Sequence, residues 1–203
     1  MIAPIAASHR EGLAFIVMLA APGVKGEELL MEQGKLILKS DGANDEAIAK
    51  DQMLRETIFK IVKTETNQEE AEKQLFEIIN KEVSDPDQLA LLTSQVKMVN
   101  TEWFRYFLSY DPAEVLKDIK IPVLALNGDL DVQVSSKQNL PVVAKALEIA
   151  GNSQTKIVEL PKINHLFQTC KTGSMQEYAD IEETISPDVL NLVSNWILET
   201  TRR

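Results

Sequence analysis

Two ionisable side chains follow consecutive apolar runs of strand length. Asp131 comes after residues 123–126, and His165 comes after residues 156–160. In an open parallel sheet, the loops that leave the carboxyl ends of the strands carry the reactive side chains. A carboxylate that accepts the imidazole Nδ1–H fixes the tautomer, so that Nε2 can take a proton from a serine. The acid-then-base order along the chain therefore indicates two members of a Ser-His-Asp triad.

Two aspartates compete for the acid role, because Asp129 and Asp131 stand in the same loop. The spacing Gly-x-x-Asp-x-x-Val, from Gly128 to Val134, favours Asp131 and leaves Asp129 as a turn residue. Taken singly, an aspartate after a strand is commonly a turn former or a helix cap, and a loop histidine is commonly structural. Their order on neighbouring loops favours the catalytic interpretation of Asp131 and His165.

The elements around these loops predict an α/β fold with a parallel sheet. Three runs have strand length and are apolar on both faces, which fits parallel strands covered by helices on each side: residues 14–19, 123–126 and 156–160. Helices are predicted at residues 3–10, at residues 140–150 and after the start signal Ser186-Pro187. Strand–helix–strand order with short connections indicates a doubly wound arrangement.

Residues 25–111 break this pattern, because their apolar positions recur at helical spacing. Helix start signals stand at residues 66–69 and 84–87. We therefore predict an all-helical insertion at 25–111 and a core domain formed by residues 1–24 and 112–203. An aromatic group near the end of the insertion either lines an acyl pocket or anchors the insertion to the body: Trp103, Phe104, Tyr106 and Phe107.

The stretch from Tyr110 to Val134, followed by the run 164–168 (NHLFQ), resembles the C-terminal half of bacterial α/β-hydrolase serine carboxylesterases. The resemblance implies a partial α/β-hydrolase fold, in which the predicted strands are the sixth to the eighth and the helical insertion is the cap. It also implies hydrolysis of a small-molecule carboxylic ester. In that reaction Asp131 orients His165, which acts as general base and then as general acid, without a metal or an organic cofactor.

The same resemblance implies a nucleophile elbow, Gly-x-Ser-x-Gly, a few residues before the segment 2–7. No such motif occurs in the 203 residues, and Gly173-Ser174 has neither a preceding strand nor the spacing. The nucleophile, the oxyanion hole and the first five strands are therefore expected outside this sequence, and the chain alone is expected to have negligible turnover. Cys170 is a poor substitute, because it stands on the same short loop region as His165 and would rarely point at the base.

Composition limits the partners and sites that are expected. The 21 basic and 31 acidic residues give a net charge of −10, which disfavours nucleic acids and anionic membrane surfaces as partners. One cysteine and two histidines exclude an internal disulfide and make a cysteine-built or histidine-rich metal site unexpected. No run approaches about 18 apolar residues, so no transmembrane helix is predicted. If Met1 is the true start, the expected location is the cytoplasm, because the segment after it does not resemble a signal peptide.

Two other interpretations stay open. In the first, the chain is a non-catalytic hydrolase remnant that acts as a binding or oligomerisation module and retains Asp131 and His165 as leftovers. In the second, it is a helical interaction module without hydrolase ancestry. With the first five strands absent, the strand at residues 14–19 would present an open, apolar edge. Such an edge invites pairing, so we expect self-association through it or poor solubility.

Overall fold

The structure is a computed structural model and describes residues 2–9, 12–82 and 86–202. Its sheet has three parallel strands in the order β1-β2-β3: β1 (Ile16–Leu19), β2 (Val123–Gly128) and β3 (Thr155–Leu160). The predicted α/β class with a parallel sheet is thereby confirmed. The strands and their flanking helices form a mixed α/β arrangement.

The central strand, β2, is buried along its whole length, as its continuous apolar run predicts. It pairs with β1 from Val123 onward and with β3 up to its last residue, Gly128. β1 is shorter than the predicted strand at 14–19, because its ladder with β2 starts only at Val123. The residue before Val123 is Pro122, which has no N–H and enters the ladder only as the acceptor of the Ile16 N–H, at 2.9 Å.

Helices pack on both faces of the sheet: α1 (Ile2–His9), α7 (Pro112–Leu116), α8 (Ser136–Ile149) and α9 (Pro187–Thr201). Successive side chains of a strand point to opposite faces. Val123 and Ala125 accordingly pack into an apolar cluster with α7 and α8. Leu124 and Leu126 pack on the other face, in a cluster with Trp196 of α9. The packing on both faces holds β2 in place, and with it the loop that leaves its carboxyl end.

A set of helices occupies the stretch between β1 and α7: α2 (Gly26–Ser40), α3 (Asp45–Thr64), α4 (Gln68–Glu82), α5 (Pro86–Val99) and α6 (Glu102–Ser109). They share an apolar cluster of their own, which includes Phe59, Val62, Leu75 and Leu108. The helical character predicted for 25–111 is confirmed in the residues that the structure describes. In those same residues, no helix combines the length and the apolar character that crossing a membrane requires.

The helix boundaries follow local capping. α4 starts where predicted, because the Asn67 side chain accepts the N–H groups of Glu69 and Glu70 at 3.0 and 3.2 Å. Two predicted features lie outside the described residues: the end of the first helix at Arg10, and the start signal at Ser84 and Asp85.

Two differences from the predicted helices have local causes. α8 begins at Ser136, four residues before the predicted start, because the Ser135 side chain caps it by accepting the Gln138 N–H at 3.4 Å. Pro141 therefore lies inside the helix, where it has no N–H to donate to the preceding turn. α7 was not predicted from the sequence, and neither was a 3-10 helix at Met175–Asp180.

Candidate active site

The loop after β2 fixes the orientation of the Asp131 carboxylate. The side chain is completely buried, with an exposed fraction of 0%. Its Oδ1 accepts the main-chain N–H groups of Gln133 and Val134, both at 2.8 Å. Hydrogen bonds from N–H groups to a carboxylate are among the stronger ones in proteins, and here they hold the side chain in one orientation. Because Oδ1 is occupied in this way, Oδ2 is the oxygen that faces the next loop.

The loop after β3 brings His165 to that oxygen. His165 Nδ1 lies 2.9 Å from Asp131 Oδ2, although the two residues are 34 positions apart in the chain. The imidazole is 28% exposed, so the ring is accessible while the carboxylate behind it is not. With Nδ1 bound to the carboxylate, Nε2 is the nitrogen that can exchange a proton with a reacting group. The two predicted site residues are thus brought together, and their catalytic roles remain a prediction.

Asp129 has a different position, on the outside of the same loop. Its Oδ1 accepts the N–H of Lys162 at 2.7 Å, and its own N–H donates to the carbonyl of Leu160 at 2.9 Å. Lys162 has a φ of 59°, a left-handed conformation that side-chain-bearing residues rarely adopt. Asp129 therefore connects the two loops, which goes beyond the turn-forming role predicted for it.

Gly128 allows the two loops to approach closely. A Cβ atom built on it would lie 2.0 Å from the carbonyl oxygen of Ile163 and 3.1 Å from that of Asn164. The N–H of Leu130 donates to the same Ile163 oxygen at 3.2 Å. A side chain at position 128 would separate the acid loop from the base loop. From the sequence, Gly128 was the first position of the spacing that favours Asp131, and its role in the approach of the two loops was not predicted.

Tyr178 lies behind the acid and connects it to the 3-10 helix. Gln133 Nε2 donates to the Tyr178 hydroxyl oxygen at 3.0 Å. Burial raises the pKa of Tyr178, the bond from Gln133 opposes that rise, and the charge of Asp131 adds to it. The phenol therefore remains a neutral group beside the carboxylate.

Cys170 is buried and is held as a thiol. Burial raises the pKa of this thiol, and the nearby charge of Glu177 raises it further, although a backbone hydrogen bond from Gly173 lowers it. In the ranges that the structure describes, no hydrogen bond joins Cys170 to His165. A nucleophile needs both a nearby base and an accessible thiolate. Because the thiol is buried and its pKa is raised, Cys170 does not offer the accessible thiolate that a nucleophile needs.

The aromatic group of α6 divides into two parts. Phe104 packs against the cluster of the helical region, and Phe107 packs against the cluster beneath β2. Trp103 stacks on Phe107 with a centroid distance of 5.4 Å and an interplanar angle of 2°. Trp103 and Tyr106 are nevertheless 67% and 57% exposed. Phe104 and Phe107 therefore anchor α6, and Trp103 and Tyr106 present exposed rings.

The cleft to which Asp131 contributes lies between α2 and the acid loop and has a volume of about 280 Å³. Lys39 and Ser40 of α2 line one side of it, and Ser135 and Lys137 line the other. Within the described residues, no group of three or more His, Cys, Asp or Glu side chains is placed to hold a metal ion.

Comparison with known proteins finds matches among the solved structures. No protein-family model and no curated protein matches this sequence. The chain is similar in structure to an esterase, RhEst1 from Rhodococcus sp. ECU1013, with 16% sequence identity and a TM-score of 0.35. The match covers 93% of this chain and 59% of the esterase chain, so the sequence spans less than two thirds of that protein. A similarity this weak supports no statement about activity.

Proposed function

We propose that Asp131 and His165 are the acid and the base of a serine hydrolase, and that this chain is the C-terminal portion of an α/β-hydrolase that cleaves carboxylic esters. The observation that carries the proposal is the 2.9 Å contact between His165 Nδ1 and Asp131 Oδ2. It joins two loops at the carboxyl ends of neighbouring parallel strands, where reactive groups of such sheets lie. The complete burial of the carboxylate and its two N–H donors support an acid whose side chain has one fixed orientation.

The reaction that this pair serves is acyl transfer to a serine. His165 Nε2 takes the serine proton while the serine oxygen bonds to the ester carbonyl carbon, and the resulting imidazolium gives that proton to the departing alcohol oxygen. Water then repeats the sequence on the acyl-enzyme, with His165 first as base and then as acid. The buried Asp131 carboxylate stabilises the imidazolium at each stage. The serine belongs to a segment outside these 203 residues, which contain no Gly-x-Ser-x-Gly.

The unpaired edge of β1 supports the proposal that a further strand lies beside it in the longer protein. The N–H groups of Ile16 and Ala20 donate across to β2, both at 2.9 Å. Main-chain groups alternate in direction along a parallel strand. Those of Val17 and Leu19 therefore point away from β2, and no described strand pairs with them. In the proposed hydrolase, the strand that leads to the nucleophile elbow occupies this edge.

The proposal also assigns residues 1–24 and 112–203 to the hydrolase core and residues 25–111 to a cap over the site. A separate apolar cluster in α2–α6 supports this division. Entry into the helical segment is fixed by Asn139, whose fully buried Oδ1 accepts the N–H groups of Gly23 and Val24 at 2.8 and 3.4 Å. This bond ties the start of the segment to α8 of the core.

Ester hydrolysis tests the proposal in two steps. The 203-residue chain is first assayed with p-nitrophenyl butyrate, and its rate is expected to equal that of buffer. Hydrolysis above buffer that His165→Ala abolishes would show that the chain supplies its own nucleophile. The reading frame upstream of the Met1 codon is then sequenced, and the longer chain is expressed if it encodes Gly-x-Ser-x-Gly.

In the longer chain, we expect hydrolysis that His165→Ala and Asp131→Asn abolish. His9→Ala is the matched control, because His9 is the other histidine and lies in an exposed position on α1. The control is expected to keep the full rate. A frame without the elbow, or a His165→Ala protein as active as the His9→Ala protein, would contradict the hydrolase proposal.

The open β1 edge also favours a second candidate function, a non-catalytic module that self-associates by pairing β1 with a second copy. Leu19, at the end of that edge, is 48% exposed. Light scattering on the 203-residue chain is expected to give a dimer that Leu19→Lys converts to a monomer. Leu198→Lys is the control, since Leu198 is 49% exposed on α9, away from the edge. A monomeric wild-type chain would argue against this candidate.

A further inference from the structure

The side chain of Asn164, immediately before His165, is fully buried and is hydrogen-bonded through both its oxygen and its nitrogen. Its Oδ1 accepts the N–H groups of Leu166 and Gln168, both at 3.0 Å, and its Nδ2 donates to Gln168 Oε1 at 2.9 Å. The opposite orientation of the amide would set its NH₂ group against two N–H donors, so the hydrogen-bond pattern admits one assignment. One side chain thus organises the main chain on the C-terminal side of His165.

These bonds close a small loop that has His165 near its tip. The N–H of Asn164 donates to the Gln168 carbonyl and the N–H of Phe167 donates to the Asn164 carbonyl, both at 3.1 Å. An isolated bridge between Ile163 and Thr169 closes the base of the loop. Phe167 has a φ of 61°, which residues with side chains rarely adopt. A turn of this kind depends on bonds such as those of the Asn164 amide.

The base of the loop is attached to the acid loop independently of Asn164. Main-chain and side-chain bonds join Leu130 to Ile163 and Asp129 to Lys162, at 3.2 and 2.7 Å. These bonds fix where the loop starts but not how its tip is oriented. The turn is also held from outside, because the Ser186 N–H donates to the Phe167 carbonyl at 2.8 Å and Gln168 Nε2 donates to the Glu183 carbonyl at 3.0 Å. Next to His165 itself, the course of the main chain depends on the bonds of Asn164.

We propose that Asn164 is a positioning residue, which acts through the main chain of its own loop to keep His165 Nδ1 at Asp131. This inference rests on the proposed function, because it assigns Asn164 to the aiming of the base. Asn164→Ala would leave the N–H groups of Leu166 and Gln168 without their acceptor. Groups of this kind find other partners when they lose one. The loop would therefore change its course and carry His165 away from the acid.

Nitrogen NMR of the imidazole tests this directly in the 203-residue chain. The chain has only two histidines, His9 and His165, so a long-range ¹H–¹⁵N correlation spectrum contains two ring systems. At pH 8 an ordinary imidazole is neutral. The wild-type His165 is expected to carry its proton on Nδ1 and to show that proton as a slowly exchanging signal. His9 is expected to show the averaged pattern of a free ring.

Asn164→Ala is expected to abolish the Nδ1–H signal of His165 and to give that ring the averaged pattern of His9. Asn152→Ala is the matched control. The Asn152 side chain also makes three bonds, to Ile119, Ile121 and Gln154, but these lie near the amino ends of the strands. The control is expected to retain the signal even if it lowers stability.

The outcomes separate this inference from the proposed function. A wild-type chain without the Nδ1–H signal would remove the contact between His165 and Asp131, and both proposals with it. A wild-type signal that survives in folded Asn164→Ala would overturn the positioning role alone. If Asn164→Ala does not fold, Asn164→Ser decides, because a hydroxyl reaches only one of the two N–H groups. An exchange-broadened signal in Asn164→Ser supports the inference, and an unchanged signal refutes it.

Discussion

Replacing Gly128 by alanine is the sharpest test of how the acid and base loops fit together. The added methyl carbon would lie 2.0 Å from the Ile163 oxygen and 2.6 Å from the Ile163 carbonyl carbon. Contacts below 3.0 Å essentially never occur for a Cβ atom, so the structure must shift. The obstacle is main chain and not the end of a flexible side chain. The Ile163 carbonyl also accepts the Leu130 N–H, so its movement costs a hydrogen bond as well.

The size of the expected loss of stability follows from the kind of atom that the added methyl group meets. Inserting a methylene group into a well-packed region typically costs about 1–3 kcal/mol. Because the clash is with the main chain, Gly128→Ala is expected to lower the free energy of unfolding by about 3 kcal/mol, the upper end of this range. With a urea m value of about 2 kcal/mol/M, the unfolding midpoint should fall by roughly 1.5 M. The shift that relieves the clash separates the loops, so the Nδ1–H signal of His165 should also be lost.

Gly151→Ala is the control for the added methyl group itself. A Cβ on Gly151 meets no atom within 4 Å, but its φ of 69° strains any residue with a side chain. That strain costs about 1 kcal/mol, and the His165 signal should be unaffected. Urea unfolding is followed by the fluorescence of Trp196, which is buried in the cluster beneath β2. A Gly128→Ala midpoint equal to or above that of Gly151→Ala would refute the close approach of the two loops.

Further predictions concern the acid and its surroundings. Asp131→Ala should lower the free energy of unfolding by about 2–4 kcal/mol, because two N–H groups lose their acceptor. Asp131→Asn should cost less stability but lower kcat of the longer hydrolase by roughly 10⁴-fold. Folded Cys170 should react with a disulfide reagent at pH 8 far more slowly than in urea, because burial raises its pKa. The pKa of Glu177 is lowered overall: burial raises it, but hydrogen bonds from Thr172 and Gly173 lower it by more. Glu177→Gln should therefore make the loss of stability below pH 4.5 less steep.

The sign of the last effect follows from proton linkage. A carboxyl group whose pKa is lower in the folded state stabilises the fold above its ordinary pKa of 4.5 and loses that contribution as the pH falls through the folded value. Cys170 and Tyr178 behave in the opposite way, because their pKa values are raised by burial. Above about pH 9 the unfolded chain loses these protons first, so stability should fall with rising pH. Urea midpoints that rise between pH 9 and 11, with the Tyr178→Phe variant as control, would contradict this.

The parts of the fold that depend on chain order could be predicted from the sequence. Parallel strands in order along the chain, joined by short connections, determine which loops meet at the carboxyl edge. That rule alone brings Asp131 near His165, and the heptapeptide spacing distinguishes Asp131 from Asp129. It does not require the strand ends to be known accurately, so the shorter β1 and the longer α8 left the prediction intact.

The parts that depend on distances between loops could not be predicted. Gly128 is needed because Ile163 passes 2.0 Å from where its Cβ would lie, and nothing in the local sequence shows which segment passes there. Asp129 connects to Lys162 across 33 positions of the chain. Asn164 has partners only four residues away, but its role depends on burial and on the left-handed Phe167, and neither is visible in residue types.

The acid and the base are brought together by the β2–β3 register and by bonds within and between their two loops, and none of these bonds involves β1. Their alignment therefore does not show whether a serine is present. The edge of β1 distinguishes the proposals instead, since the main-chain groups of Val17 and Leu19 point outward there. In a monomeric 203-residue chain these two amide protons should exchange fast while that of Met18 is protected. Protection of Val17 and Leu19 that disappears on dilution would indicate a second copy, whereas protection gained only in the longer chain would indicate the strand that brings the nucleophile.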